Sequence, residues 1–372
     1  MFPQGFSAQV ARCGLKNNGD PELAVVRSQR PCQAAGVFTT NRVAAAPVRY
    51  CQNLLARAND MVMAVVINSK NANAVTGPQG DRDCARLAGL VDAGDVLTMS
   101  TGVIGQPMPM AVYEKGLQEL QSSDPEGLAR AMMTTDTYSK VVVREFEGTR
   151  WLGVAKGAGM IHPDMATLLA LVVTDADLPA AELQQALNEA NLVSFQCITV
   201  DGDTSTNDSL LVLANGASGY KPAGWSEVLR EVLVELARLV AFDGEGASHR
   251  VTLQVSGLAS DADARTLGRV VLTSPLVKTA IAGKDANWGR ILAAAGRSGV
   301  EFQPEQAALW WNDLQLLKNG APTNPGSAAE SKAVESAEVE LRLDLGQGLG
   351  KATLWSCDLT HEYVSINGDY RT

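Results

Sequence analysis

Short apolar runs of β type alternate along the chain with stretches whose apolar residues return at helical spacing. The run 61–68 (MVMAVVIN) reads as a buried strand, and 81–93 (DRDCARLAGLVDA) has helical spacing. Residues 95–105 (DVLTMSTGVIG) form a strand that breaks into a glycine turn, 125–135 is helical, and 140–148 (KVVVREFEG) is a strand with partial alternation. A continuous apolar strand starts at TLLALVVTDA, followed by a helix over 179–195 and a strand over 209–216. The most periodic helix spans 225–244, with Glu and Arg spaced along its polar face. Segments 249–257 and 335–346 alternate as half-exposed strands, and 318–333 is a polar Gly/Pro/Ser loop. The pattern predicts an α/β chain of sheets layered with helices, without short internal repeats.

Composition narrows the function classes. The chain has 372 residues, 46% apolar and 19% charged, enough to bury a substantial core. Its net charge of −10 disfavours nonspecific binding to nucleic acid or an anionic membrane surface. Neither a secretory leader nor an apolar run near the roughly 20 residues of a membrane helix is visible. Six scattered cysteines without C-x-x-C spacing read as reduced core thiols of a cytoplasmic protein, and no metal site is apparent. Only three histidines, at 162, 249 and 361, restrict the available general bases.

The chemistry concentrates at KGAGMIHPDMATLLALVVTDA, 156–176, where a soft Gly/Pro loop meets the buried strand. A threonine in such a place ordinarily bonds its hydroxyl to backbone. A phosphate loop is disfavoured because G-x-x-x-x-G-K-[ST] is absent, and a dinucleotide fingerprint fails because the glycines precede a strand. Self-cleavage between Ala166 and Thr167 gives the segment a chemical purpose. The Thr167 hydroxyl attacks the preceding carbonyl, the acyl group moves from nitrogen to oxygen, and water hydrolyses the ester. The new chain starts with Thr167, whose free α-amine has an intrinsic pKa of about 8 and can serve as general base without histidine. The resulting oxyanion needs donors, and Thr101-Gly102 in MSTGVIG, 99–105, is a candidate pair.

Nine ordered segments together resemble the glutamate N-acetyltransferase/ornithine acetyltransferase family of arginine biosynthesis. They are AAGVFTTNRVAAAPV (34–48), INSKNANAVTGPQG (67–80), STGVIG (100–105), MMTTDTYSK (132–140), KGAGMIHPDMATLLA (156–170), VDGDTSTND (200–208), DGEGASH (243–249), LVKTAIAGKDANWGRILAAAG (276–296) and CDLTHEYVSINGDYRT (357–372). The resemblance implies a layered α/β sandwich, similar in chemistry to N-terminal-nucleophile hydrolases. It implies an α chain, 1–166, and a β chain, 167–372, interleaved in one unit and assembling as α2β2. It also implies ping-pong transfer of acetyl from N2-acetylornithine to glutamate through acetyl-Thr167, without a cofactor, and some members also accept acetyl-CoA.

Carried over residue by residue, the family pattern makes Thr167 the nucleophile and Thr101 and Gly102 the oxyanion donors. Lys156 matches a substrate-binding lysine suited to a carboxylate, and Glu245 a glutamate suited to a cationic amine. Thr134 or Thr135 matches a further substrate contact, as do Asn367 and Thr372 near the C-terminus. The family usually has Gly where Lys70 stands, often Cys where Val75 stands, and Pro where Ala286 stands. These departures leave open a paralogue acting on another acylated amino acid or peptide, as an acyltransferase or amidohydrolase. A silent binding protein is disfavoured because Thr167, Thr101, Gly102, Lys156 and Glu245 are all present.

Overall fold

The computed structural model describes residues 1–57, 62–162, 168–324 and 326–369. Nine of its strands form one sheet: β1 (Phe6–Ala11), β2 (Leu23–Phe38), β3 (Val62–Asn68), β4 (Asp95–Ser100), β5 (Gln121–Ser123), β6 (Lys140–Phe146), β7 (Thr149–Lys156), β8 (Leu169–Thr174) and β9 (Ser209–Ala214). Their order is β4-β3-β2-β9-β8-β7-β6, with β1 on β2 and β5 on β1. A second sheet holds β10 (Arg250–Leu258), β11 (Ala308–Trp311), β12 (Leu314–Lys318), β13 (Ala321–Pro322), β14 (Glu338–Asp344) and β15 (Gly350–Cys357).

The apolar run after residue 167 has an immediate structural reason. In a strand, successive side chains point to opposite faces, so a strand covered on both sides needs apolar residues throughout. Ala170 and Val172 of β8 face one core, with helices Ala180–Leu192 and Trp225–Phe242, while Leu169, Leu171 and Val173 face a second core, with helix Pro125–Met132. β9 divides in the same way: Leu210 and Val212 against Leu211 and Leu213. The periodic helix Trp225–Phe242 contacts β6 and β7 of the first sheet and β10 and β15 of the second, so it forms the layer between them. Its buried positions, among them Leu229, Val232, Leu233 and Leu236, recur at three- and four-residue steps.

The expected strands and helices are present, with differences at the margins. The helix expected at 81–93 runs over Gly77–Gly89, because Pro78 suits the first helical turn and draws the start upstream. The expected loop 318–333 contains β13 and a short helix, Ser327–Ala333. β2 escaped the pattern because its middle, RSQRPCQ, is polar; there the strand leaves β1 and β3 to pair with β9. All six cysteines are free, five of them buried, and no described helix is long and apolar enough to cross a membrane.

Gly153 of β7 tests this packing. A Cβ there would lie 2.7 Å from both Leu236 Cδ1 and Val232 Cγ1. Gly153→Ala is expected to destabilise by about 1–3 kcal/mol through overpacking, and Leu236→Ala by about 2–5 kcal/mol through a cavity. In urea unfolding the double variant loses less than the sum of the two, because each change relieves the other.

Candidate active site

Strand ends from two parts of the large sheet meet at the site. β4 ends at Ser100, β7 ends at Lys156, and β8 and β9 start at Leu169 and Ser209. Thr101 and Gly102 follow β4 and lie against segment 70–72: Thr101 N donates to Asn68 O at 3.0 Å and Val103 N to Lys70 O at 3.3 Å. Gly102 has φ +131°, and a Cβ would sit 2.3 Å from the Lys70 carbonyl carbon, so only glycine fits this turn. Asn207 fastens the strand ends together, its Nδ2 donating to Ala72 O at 2.6 Å and Ser100 O at 2.9 Å.

Lys156 is 3% exposed, and its Nζ donates to Thr101 Oγ1 at 3.0 Å. An ammonium has donors only, so the threonine oxygen must accept and its own proton is left to bond elsewhere. Burial lowers the lysine's pKa; Asp136 pulls it up, Lys140 pushes it down, and Asp208 and Glu245 pull it up.

Four more described candidates share a cavity with Thr101, Gly102 and Lys156. Thr134, Thr135, Glu245 and Asn367 all line it, and its volume is about 250 Å³, the scale of an amino acid. Glu245 is 9% exposed; its N donates to Ala158 O at 3.0 Å and its Oε2 accepts from Asn367 Nδ2 at 2.7 Å. Gly159 permits that approach, since a Cβ there would meet the Glu245 carboxyl carbon at 2.5 Å. Asn367 reaches the cavity from the C-terminal helix His361–Asp369. Ala166, Thr167 and Thr372 lie outside the described residues.

The chain on either side of residues 163–167 is anchored by carboxylates. Upstream, Asp201 accepts from Met160 N and Ile161 N, and Tyr363 Oη donates to it at 3.3 Å. Burial raises the Asp201 pKa against those backbone bonds. Downstream, Leu168 N donates to Asp208 Oδ1 at 2.9 Å, and burial raises this carboxyl well above the ordinary range despite Leu168, Lys156 and Thr39. His162 contacts Thr199 Oγ1 at 3.3 Å through Nδ1 and does not line the cavity. Asp201, Asp203, Asn207 and Tyr363 line it as well, but sequence reasoning gave them no role. The signal available is their position inside VDGDTSTND and HEYVSING, two polar segments in which no single residue stands out by spacing.

Among the substituted positions, Lys70 is half-buried with φ +77° and Val75 is exposed with φ +57°. Both occupy left-handed backbone, which at position 70 is the conformation a glycine adopts without strain. Ala286 packs against the larger core. None of the three lines the cavity. Among the described residues no group of three or more His, Cys, Asp or Glu could hold a metal ion.

A mixed-charge pocket of this size, lined by Lys156 and Glu245 within a layered α/β fold, has the shape and charges to take a small zwitterionic molecule. The ArgJ family profile matches residues 7–372. The arginine biosynthesis bifunctional protein of Symbiobacterium thermophilum is 46% identical over all of this chain and 98% of its own length. The mitochondrial counterpart from Neurospora crassa is 41% identical over all of this chain and 89% of its own. The solved structure of the Bacillus halodurans protein, 37% identical, covers 53% of this chain and 96% of that one with a TM-score of 0.51. The chain belongs to the ArgJ family, and it is an acyltransferase of arginine biosynthesis.

Because the Lys70 side chain does not line the cavity, Lys70→Gly is expected to leave KM and kcat at their wild-type values. Steady-state kinetics of acetyl transfer checks this, and a changed KM would place the substitution in substrate selection.

Proposed function

We propose that the chain transfers acetyl from N2-acetylornithine to glutamate by a ping-pong mechanism, after cleaving itself between Ala166 and Thr167. The observation that carries the reading is the single cavity shared by Thr101, Gly102, Lys156, Glu245 and Asn367, placed where β8 begins. In maturation, the Thr167 hydroxyl attacks the Ala166 carbonyl, the peptide C–N bond breaks, and the nitrogen leaves as the Thr167 amine. Water then splits the ester, giving the Ala166 carboxylate and restoring the hydroxyl.

In turnover, that amine takes the hydroxyl proton as Thr167 Oγ attacks the acetyl carbonyl of N2-acetylornithine. Thr101 Oγ1–H and the Gly102 N–H bond the oxyanion, and collapse returns the proton to the departing ornithine amine. Glutamate's amine then attacks acetyl-Thr167 by the reverse sequence. Lys156 retains two donors for a substrate carboxylate, and Glu245 with Asn367 receives a cationic amine. Thr134 or Thr135, together with Thr372, supplies further substrate contacts. No cofactor takes part, and acetyl-CoA is a second donor to be tested separately.

The products of cleavage, 1–166 and 167–372, are interleaved. β7 and β8 pair along six residues from Trp151↔Thr174 to Lys156↔Leu169, and β2 pairs with β9. Two chains sharing the middle of one sheet stay together, and two such units are proposed to form α2β2 in the cytoplasm.

A denaturing gel of purified protein is expected to give two fragments dividing at Ala166/Thr167, and one full-length band for Thr167→Ala. Thr101→Val is expected to lower kcat for transfer from N2-acetylornithine by about 100- to 1,000-fold, the loss of one oxyanion donor. An intact wild-type band with full activity would refute the maturation step. Activity only with another acyl donor would move the substrate assignment.

A further inference from the structure

We propose that Asp136 is a positioning residue of this site, one buried carboxylate that holds the Thr134–Thr135 segment and the end of β7 in register around Lys156. Its side chain is 0% exposed. Oδ2 accepts from Thr134 N at 3.0 Å, and Oδ1 accepts from Gly157 N at 2.7 Å and from Lys140 Nζ at 2.7 Å. The first two bonds tie together, through one rigid group, the two cavity-lining segments that carry Thr134–Thr135 and Lys156.

Lys140, itself 0% exposed, also donates to Asp243 Oδ2 at 2.5 Å, and Asp243 accepts from Thr137 N at 3.0 Å. Asp243 stands two residues before Glu245, so the chain of buried charges ends on the segment bearing the cavity's carboxylate. Two cations, Lys140 and Lys156, are set beside two anions, Asp136 and Asp243. Asp136 therefore does two things: it fixes backbone, and it places a negative charge near Lys156 without taking any of that ammonium's hydrogen bonds. Burial works to raise the Asp136 pKa, but Lys140, Lys156 and Gly157 N hold it at about 2, so this charge is present at any working pH.

The inference rests on the acyl-transfer reading above. The charged groups acting on Lys156 are Asp136, Lys140, Asp208 and Glu245, and Lys16 is within reach of Asp136. Asp136 raises the lysine's pKa, so its loss lowers it. A reaction that needs the ammonium then fails at lower pH than in wild type.

The test is kcat and KM for N2-acetylornithine across pH, with a thermal melt and a gel for cleavage, in wild type and three variants. Asp136→Asn is expected to stay folded and cleaved, to lower kcat/KM by about ten- to a hundredfold, and to move the alkaline limb to lower pH. Asp136→Glu restores the charge without the reach, so its limb stays at the wild-type pH while kcat/KM falls at least about fivefold. Lys156→Met is expected to abolish transfer. A folded Asp136→Asn with an unmoved limb, including one whose activity falls only in step with its melting temperature, would overturn the proposal. If that variant does not fold, Asp136→Glu decides alone, and wild-type kcat/KM in it overturns the proposal. Wild-type turnover in Lys156→Met would instead overturn the site reading itself.

Discussion

A buried ammonium hydrogen-bonded to a hydroxyl, Lys156 Nζ to Thr101 Oγ1, is the interaction on which the rest of the site depends. Isolating a cation from water is costly, and a neutral oxygen cannot offset that alone. Carboxylates at one remove oppose that cost in part: Asp136 and Glu245 act through their fields while bonded to other partners, and burial still lowers the lysine's pKa. When Lys156 carries its proton it has donors only, so Thr101 is compelled to accept. A hydroxyl with its lone pair engaged by a cation and its proton uncommitted is a polarised donor, the property an oxyanion requires.

The sheet supplies the rigidity that makes such an arrangement hold. The strand ends that carry Lys156, Leu168 and Asn207 belong to β7, β8 and β9, which are adjacent and covered on both faces. Their ends move together because packed interiors resist independent displacement. Cleavage between residues 166 and 167 would fall in the connection between β7 and β8, outside the ladder. A chain break there costs no strand pairing, and it would add one α-amine at the start of β8, where the fold already gathers polar groups. Maturation of this kind adds a base to a finished site without rebuilding it.

Much of the fold was legible because buried strands and amphipathic helices leave strong periodicities; VMAVVIN, LALVVT and WSEVLREVLVELARLVAF all fold as their patterns imply. Polar or short elements were not. β2 changes partners through a polar stretch, and the helix His361–Asp369 has no buried side chains to create a period. At the site, Thr101, Gly102, Thr134, Thr135, Lys156, Glu245 and Asn367 line one cavity although they come from segments up to hundreds of positions apart. What sequence could not reveal was the carboxylate scaffold. Asp136, Asp201 and Asp208 look like ordinary loop acids in one dimension, and only their backbone partners give them a purpose.

The most direct measurement is mass spectrometry of the denatured enzyme after brief mixing with N2-acetylornithine in the absence of glutamate. The account predicts that a fragment beginning at Thr167 gains the mass of one acetyl group, that the group maps to residue 167, and that added glutamate removes it. An unmodified fragment from an enzyme that still releases ornithine, or an acetyl group on any other residue, would contradict it.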